Sequence, residues 1–159
     1  MSIVKIPSMK KEEYDKLISE NHVSRIAFKG DDYPYIAPFM YVFDEKNKFI
    51  YFLSTNYGKK IGLFKNNPNV AVEIERYNED MSSYKFVTLQ GRIIEVQEQK
   101  EVEKTKKQFV KMIQEKLSSK ALAALGYSPE ESPESLIKGE RALVWKLVDI
   151  ESIVALKNP

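Results

Sequence analysis

The chain has 159 residues, no cysteine and a single histidine, His22, and its 25 basic and 23 acidic side chains give a net charge of +2. This excludes disulfides, thiol catalysis, thiolate zinc sites, cysteine-held iron–sulfur clusters and any Ser-His-Asp triad that does not use His22. The length predicts one domain over residues 1–159 that buries roughly two-thirds of its unfolded surface, and the balanced charge gives no argument for a nucleic-acid partner.

The start, MSIVKIPSMKKEEYDKL, carries charges where a secretory signal needs an apolar core. Apolar runs reach only a handful of residues, so the sequence predicts no membrane-spanning helix and a cytoplasmic location. Ser8 is a candidate N-cap for a helix carrying Tyr14, Leu17 and Ile18 at helical spacing and ending at Asn21. Val23 to Lys29 reads as a strand that stops at Gly30-Asp31-Asp32, a turn sequence that also admits a cation site. Tyr35 to Phe43 is a second strand. Pro38 inside it has no N–H for the ladder and marks an edge, bulge or kink. A polar turn, Asp44 to Lys48, leads to a third strand from Phe49 to Leu53.

A short helix follows, with Ile61, Leu63 and Phe64, stopped at Asn66-Asn67-Pro68. Asn69 to Glu75 alternates as a half-buried strand does. Tyr77 to Ser83 is a loop, and Tyr84 to Val96 is a long strand with a bulge or bend at Gly91. Glu98 to Lys120 forms a helix with a Val102, Phe109, Ile113 and Leu117 stripe. A helical tail continues the pattern to Leu125 and stops at Gly126. Its Lys100, Lys104, Lys107 and Lys111 face could meet RNA or an acidic partner, but interspersed glutamates read as a solvated surface. Arg141 to Val148 is a final strand that can extend through Ile153 and Val154. Six strands in hairpin-like succession predict a mainly β, antiparallel sheet or small barrel with flanking helices.

The stretch most informative about chemistry is Ser54-Thr55-Asn56-Tyr57-Gly58-Lys59-Lys60. A strand ends in two hydroxyls, a glycine permits close backbone approach, and two lysines open a helix. These groups together suit a phosphate; the same residues also make an ordinary solvated loop.

Several segments in order resemble the FMN-binding split-barrel proteins of the pyridoxamine 5'-phosphate oxidase-like superfamily, especially short members related to nitroimidazole reductases. They are ENHVSRIAF, YPYIAPFMYVFDEKNKFIYFLST, GKKIGLFKNNPNVAVEI and YKFVTLQGRIIEV, and the likeness is good from Val23 to Val96 and weak in the C-terminal third. The resemblance implies an antiparallel six-stranded split β-barrel and a homodimer with FMN at its interface. It implies that Lys59 and Lys60 hold the phosphate beside Leu53 and Ser54. Ile36, Ala37, Pro38, Phe39, Met40 and Tyr41 would run along the isoalloxazine ring, with Phe86 contributing from the other side. Lys59 stands where the family usually has arginine, a point charge in place of a bidentate fork. Phe86 stands where the larger oxidases place a glutamine, which speaks against oxidation of pyridoxamine phosphate itself.

Further residues carry two readings. Trp145 packs a core or a dimer interface, or stacks near the partner's flavin. His22 caps and packs, or acts near the flavin. Arg92 and Lys85 point outward, or place positive charge near the ring. The function expected is a flavoprotein passing electrons from NAD(P)H to a small acceptor. The alternatives are a deazaflavin or haem in the same fold, or a flavin carrier without turnover. Tyr33, Tyr35, Phe39, Tyr41, Phe43, Phe49, Tyr51 and Phe52 place apolar groups on both faces of their strands, which predicts outward surface covered by a second subunit.

Overall fold

A computed structural model describes residues 3–159. Its elements are α1 (Lys11–Glu20), β1 (Val23–Phe28), β2 (Tyr35–Asp44), β3 (Phe49–Thr55), α2 (Lys59–Asn66), β4 (Asn69–Tyr77), β5 (Tyr84–Glu95), α3 (Gln99–Lys116) and β6 (Ala142–Lys157). Two 3-10 helices, Ser119–Leu125 and Pro133–Leu136, lie between α3 and β6. The six strands close into an antiparallel barrel in the order β1-β2-β3-β6-β5-β4. None of the helices described is long and apolar enough to cross a membrane.

The alternation of each strand sets two cores, one on each side of the barrel wall. Ile26, Phe28, Phe39, Tyr41, Phe52, Val72, Ile74, Val87, Leu89, Ile93 and Trp145 fill the interior, with Leu17 and Ile18 of α1 packed against them. A second core lies outside the wall. There Val42, Tyr51, Leu53, Ala142 and Val144 meet Phe109, Val110 and Ile113 of α3, together with Leu122, Leu125 and Leu136 of the 3-10 helices. The C-terminal third thus buries apolar groups that the sequence reading assigned to a second subunit. Phe39, Tyr41 and Phe52 face inward, Tyr51 lies beneath α3, and of that set Tyr33 alone is exposed.

The barrel is split at one place. Tyr35 to Met40 pair with β1, whereas Tyr41 to Asp44 pair with β3. On the facing side, Leu53 to Thr55 pair only with β6. The first half of β2 and the end of β3 therefore diverge, and Pro38 sits on the unpaired margin, where a missing N–H costs no ladder bond.

Local corrections follow the same hydrogen-bond logic. Ser8 is no N-cap: it bridges to Leu156, and the cap position of α1 is Lys10, without a side-chain bond. Glu98 caps α3, accepting from the N–H groups of Lys100 and Glu101. The α-helix ends at Lys116, and the chain to Leu125 is 3-10 instead, closed by Gly126 at φ +80°. β6 runs unbroken to Lys157, kinked where Asp149 takes φ +52° and the register with β5 shifts beside Gly91. A Cβ on Gly91 would stand 2.8 Å from the Val148 carbonyl oxygen and 3.1 Å from Leu147 Cδ1. Gly91→Ala is therefore expected to lower unfolding free energy by about 1–3 kcal/mol in urea titration, as overpacking does. An unchanged midpoint would mean that this bulge tolerates a side chain.

Candidate functional site

The divergence of β2 from β3 opens a cleft of about 230 Å³. Val23, Pro38, Phe39 and Met40 form one side, Leu53, Ser54 and Thr55 another, and Lys60, Ala124 and Leu125 complete it. Gly58 precedes α2 at φ +105°, a conformation that disfavours a side chain, and its carbonyl accepts from the Ile61 N–H at 3.2 Å. This turn brings the start of α2 back beside the end of β3.

Lys60 is the charged group of the cleft. Its Nζ donates to Thr55 Oγ1 at 2.8 Å and lies 5.8 Å from the centre of the Phe39 ring. It makes no ion pair among the described residues, and burial pushes its pKa below the ordinary lysine value. No carboxylate lines the cleft. A half-buried ammonium held by a hydroxyl and lacking a counter-ion suits an anion. Lys59 is exposed, with Nζ 5.2 Å from the Tyr35 ring centre, and adds positive charge at the rim. Thr55 was not among the expected contacts. Its hydroxyl donates to the Tyr57 carbonyl at 2.9 Å and accepts from Lys60, while Ser54 spends its proton on the Thr55 carbonyl at 2.8 Å. The strand-end hydroxyl pair was the signal that could have pointed to Thr55. For Val23, Ala124 and Leu125 the sequence offered none.

Of the expected contacts, Pro38, Phe39, Met40, Leu53, Ser54 and Lys60 meet in this cleft. Ile36 and Ala37 continue along the same unpaired margin, Ile36 being 62% exposed. Three residues go elsewhere. Tyr41 points into the interior, where its hydroxyl donates to the Ile18 carbonyl at 2.5 Å. Phe86 pairs with Glu75 and Leu156 on the opposite side of the barrel, and one chain alone does not bring it to the cleft. Trp145 is 0% exposed inside the barrel, tilted over Phe39 and Phe64, so packing is its role. The His22 carbonyl accepts from the Tyr41 N–H, and burial lowers its imidazole pKa. Arg92 donates through Nε and Nη2 to Asp149 at 3.0 and 2.6 Å, and Lys85 is exposed.

Four clefts are larger, at about 400 to 490 Å³, and the two largest lie elsewhere on the barrel. One, about 460 Å³, lies between α3 and the β2–β3 turn. Its buried charges are already matched: Glu101 accepts from Lys146 and from the Tyr51 hydroxyl, each at 2.8 Å. The other, about 490 Å³, is a shallow trough on the outer face of β1, β4 and β5. Neither holds a half-buried, uncompensated cation.

The fold and this cleft define a six-stranded split barrel with a lysine-bearing gap between two parted strands. The family model described as pyridoxamine 5'-phosphate oxidase matches residues 10–134, and the chain belongs to that family. Among solved structures, a FAD-binding protein from Mesorhizobium loti aligns with a TM-score of 0.72 at 20% identity, covering 98% of this chain and 100% of that one. The FAD-binding protein from Mycobacterium smegmatis aligns at 0.62 and 14% identity, covering 96% and 98%. General Stress Protein 26 from Bacillus anthracis aligns at 0.63 and 17% identity, covering 92% of each. At these identities the likeness shows the fold. A search of curated proteins finds no match.

Proposed function

We propose that this chain is one cytoplasmic domain that binds FMN by its phosphate, encloses it between two copies of itself, and passes electrons from NAD(P)H to a small acceptor. The observation that carries the reading is the half-buried Lys60 ammonium, tied to Thr55 and free of any carboxylate, in the gap between β2 and β3. Two solved relatives are named as FAD-binding proteins, which supports a flavin as the ligand. The donor set fits a phosphate, and the unpaired margin from Ile36 to Met40 fits the edge of a planar ring.

Size argues for the second copy. Pockets that enclose a drug-sized ligand span roughly 300–1,000 Å³. The cleft in one chain holds about 230 Å³. It opens beside a barrel face that α3 and the 3-10 helices leave bare. Register sets two outward rows on that face: Ile36, Ala27, Ala71, Gln90 and Ser152, then Pro38, Arg25, Glu73, Thr88 and Val154. Small and apolar groups dominate them, Val154 is 48% exposed, and the adjoining Val23 is 53% exposed. A second copy seated there would finish the site and cover this surface.

The bound flavin would supply hydride and electron transfer; the chain's own part is to anchor the phosphate, exclude water from the gap and hold the ring edge along β2. The test is an absorbance spectrum of the purified protein, with mass spectrometry of the released ligand and light scattering. A yellow protein of about twice the monomer mass that prefers FMN to riboflavin is expected. Equal affinity for the two flavins would sink the phosphate anchor, and a monomer retaining FMN at micromolar concentration would sink the shared site. Oxidation of NAD(P)H by the holo-protein separates an enzyme from a carrier.

A further inference from the structure

We infer that the lysine row of α3 is a docking surface for single-stranded RNA, with phosphates along Lys100, Lys104, Lys107 and Lys111 and one base in the cleft between α3 and the β2–β3 turn. The inference is independent of the flavin reading, since this surface shares no residue with the gap between β2 and β3.

A net charge of +2 hides the row. Steps of four, three and four residues set the lysines on one side of the helix, over about 16 Å of its axis at 1.5 Å per residue. All four are exposed, and none makes an ion pair among the described residues. The interspersed glutamates gave this face the reading of a solvated surface, and the structure turns two of them away. Glu98 accepts from the N–H groups of Lys100 and Glu101 as the helix cap. Glu101 accepts from Lys146 and from the Tyr51 hydroxyl. Glu115 lies a turn past Lys111, which leaves Glu103 among the lysines, accepting from Gln99 Nε2 at 3.4 Å. With Gln108 they line a shallow groove of about 440 Å³, four cations to one carboxylate. A single file of point charges matches a chain that carries one negative charge per repeat, as a phosphodiester does. A membrane or an acidic protein face calls for charges spread over an area.

The first half of the row borders a second feature. Lys100 and Lys104 also line the cleft of about 460 Å³ beside the β2–β3 turn, and pockets for small ligands span roughly 300–1,000 Å³. The cleft's other carboxylate, Asp44, is spent on its own turn: it accepts from the Lys46 and Asn47 N–H groups at 3.1 Å and from Asn47 Nδ2 at 2.9 Å. Half-buried Phe49 supplies an aromatic side, and Asn47, Thr105 and Gln108 supply amide and hydroxyl groups. An uncharged ring with hydrogen-bonding edges suits this interior, and an anion suits its lysine lip. That is the order of groups in a nucleotide. A base is free to enter only from a single strand, and the hydroxyl and amide groups suit the 2′-OH that distinguishes RNA from DNA.

The experiment is a fluorescence anisotropy titration of the full chain with a short labelled single-stranded RNA of mixed sequence, from low to physiological salt. Four phosphate contacts at about −0.7 each give an expected slope of roughly −3 for log affinity against log salt. Lys107→Gln with Lys111→Gln should make that slope shallower by about 1.4. Glutamine keeps helix propensity, so circular dichroism should be unchanged. An RNA of equal length without bases should bind about fivefold or more weakly, the scale of one lost base contact. Single-stranded DNA and polyglutamate should also bind more weakly than RNA, and excess FMN should not displace it. An unchanged slope in the double variant overturns the inference, as does equal binding of the base-free RNA, the DNA or polyglutamate. Displacement by FMN would put the RNA in the gap between β2 and β3 and overturn it too. Capture by phosphatidylserine vesicles without RNA binding would assign the row to a membrane instead.

Discussion

Replacing Lys60 with alanine is expected to weaken FMN binding roughly ten- to hundredfold, the loss of one charge-assisted contact worth about 1.5–3 kcal/mol. The side chain is only half buried and its one hydrogen bond goes to Thr55, so the fold has little to lose. A buried cation without a counter-ion is itself a cost to the empty protein, and removing it should leave the melting temperature level or slightly higher. Lys59→Ala should cost less, because Lys59 is exposed and its field is screened. The double variant should approach the affinity of riboflavin for the unaltered chain, since neither then has a phosphate anchor. Burial holds the Lys60 pKa below its ordinary value in the empty cleft. The ammonium is the form that binds phosphate, so affinity should be highest below that lowered pKa and fall as pH rises through it. In the alanine variant this alkaline fall should be much reduced. An unchanged dissociation constant for the double variant would place the anion site elsewhere.

How much of this was legible in the sequence depends on the range of the interaction. Strand alternation and turn residues are local, and they marked the first five strands within about two residues of their ends and the start of the sixth, whose far end lies beyond the predicted Val148 or Val154. Pro38 announced an unpaired margin, because a residue without an N–H is confined to such places. The hydroxyl–glycine–lysine run after β3 announced the cleft for the same reason: its chemistry sits within seven consecutive residues. What the sequence hid was set at long range. Nothing near Tyr51 or Val42 tells whether their outward faces meet a second subunit or the chain's own α3, which arrives roughly fifty residues later. The wall made by Ala124 and Leu125 is an ordinary apolar turn until the barrel places β3 beside it. Tyr41 came with the Ile36-to-Tyr41 run that the resemblance sets along the ring, and Trp145 carried a packing reading beside a stacking one; the strand phase of both turns them inward.

Trp145→Ala is expected to cost about 3–5 kcal/mol of stability, the range for truncating a large buried aromatic. The indole lies 5.0 Å from the Phe64 ring and 5.6 Å from the Phe39 ring, centre to centre, and 6.1 Å from Phe28. These contacts join the interior core to two parts of the cleft, since Phe64 shares α2 with Lys60 and Phe39 lines the gap. Deleting the indole should loosen α2 as well as lower the unfolding midpoint, so the alanine variant should also bind FMN more weakly although Trp145 is buried inside the barrel. Trp145→Phe separates the two effects. The indole N–H is buried without a hydrogen-bond partner, a penalty of about 1–3 kcal/mol that phenylalanine removes. That gain offsets much of the smaller cavity, and Trp145→Phe should lose less than half as much stability as Trp145→Ala while keeping FMN affinity near that of the unaltered chain. Urea titration followed by circular dichroism reads the stability, because the only tryptophan fluorescence leaves with the residue. An alanine variant that loses less than about 1 kcal/mol would contradict the packing role. A phenylalanine variant that keeps its stability but loses FMN would return Trp145 to the ligand.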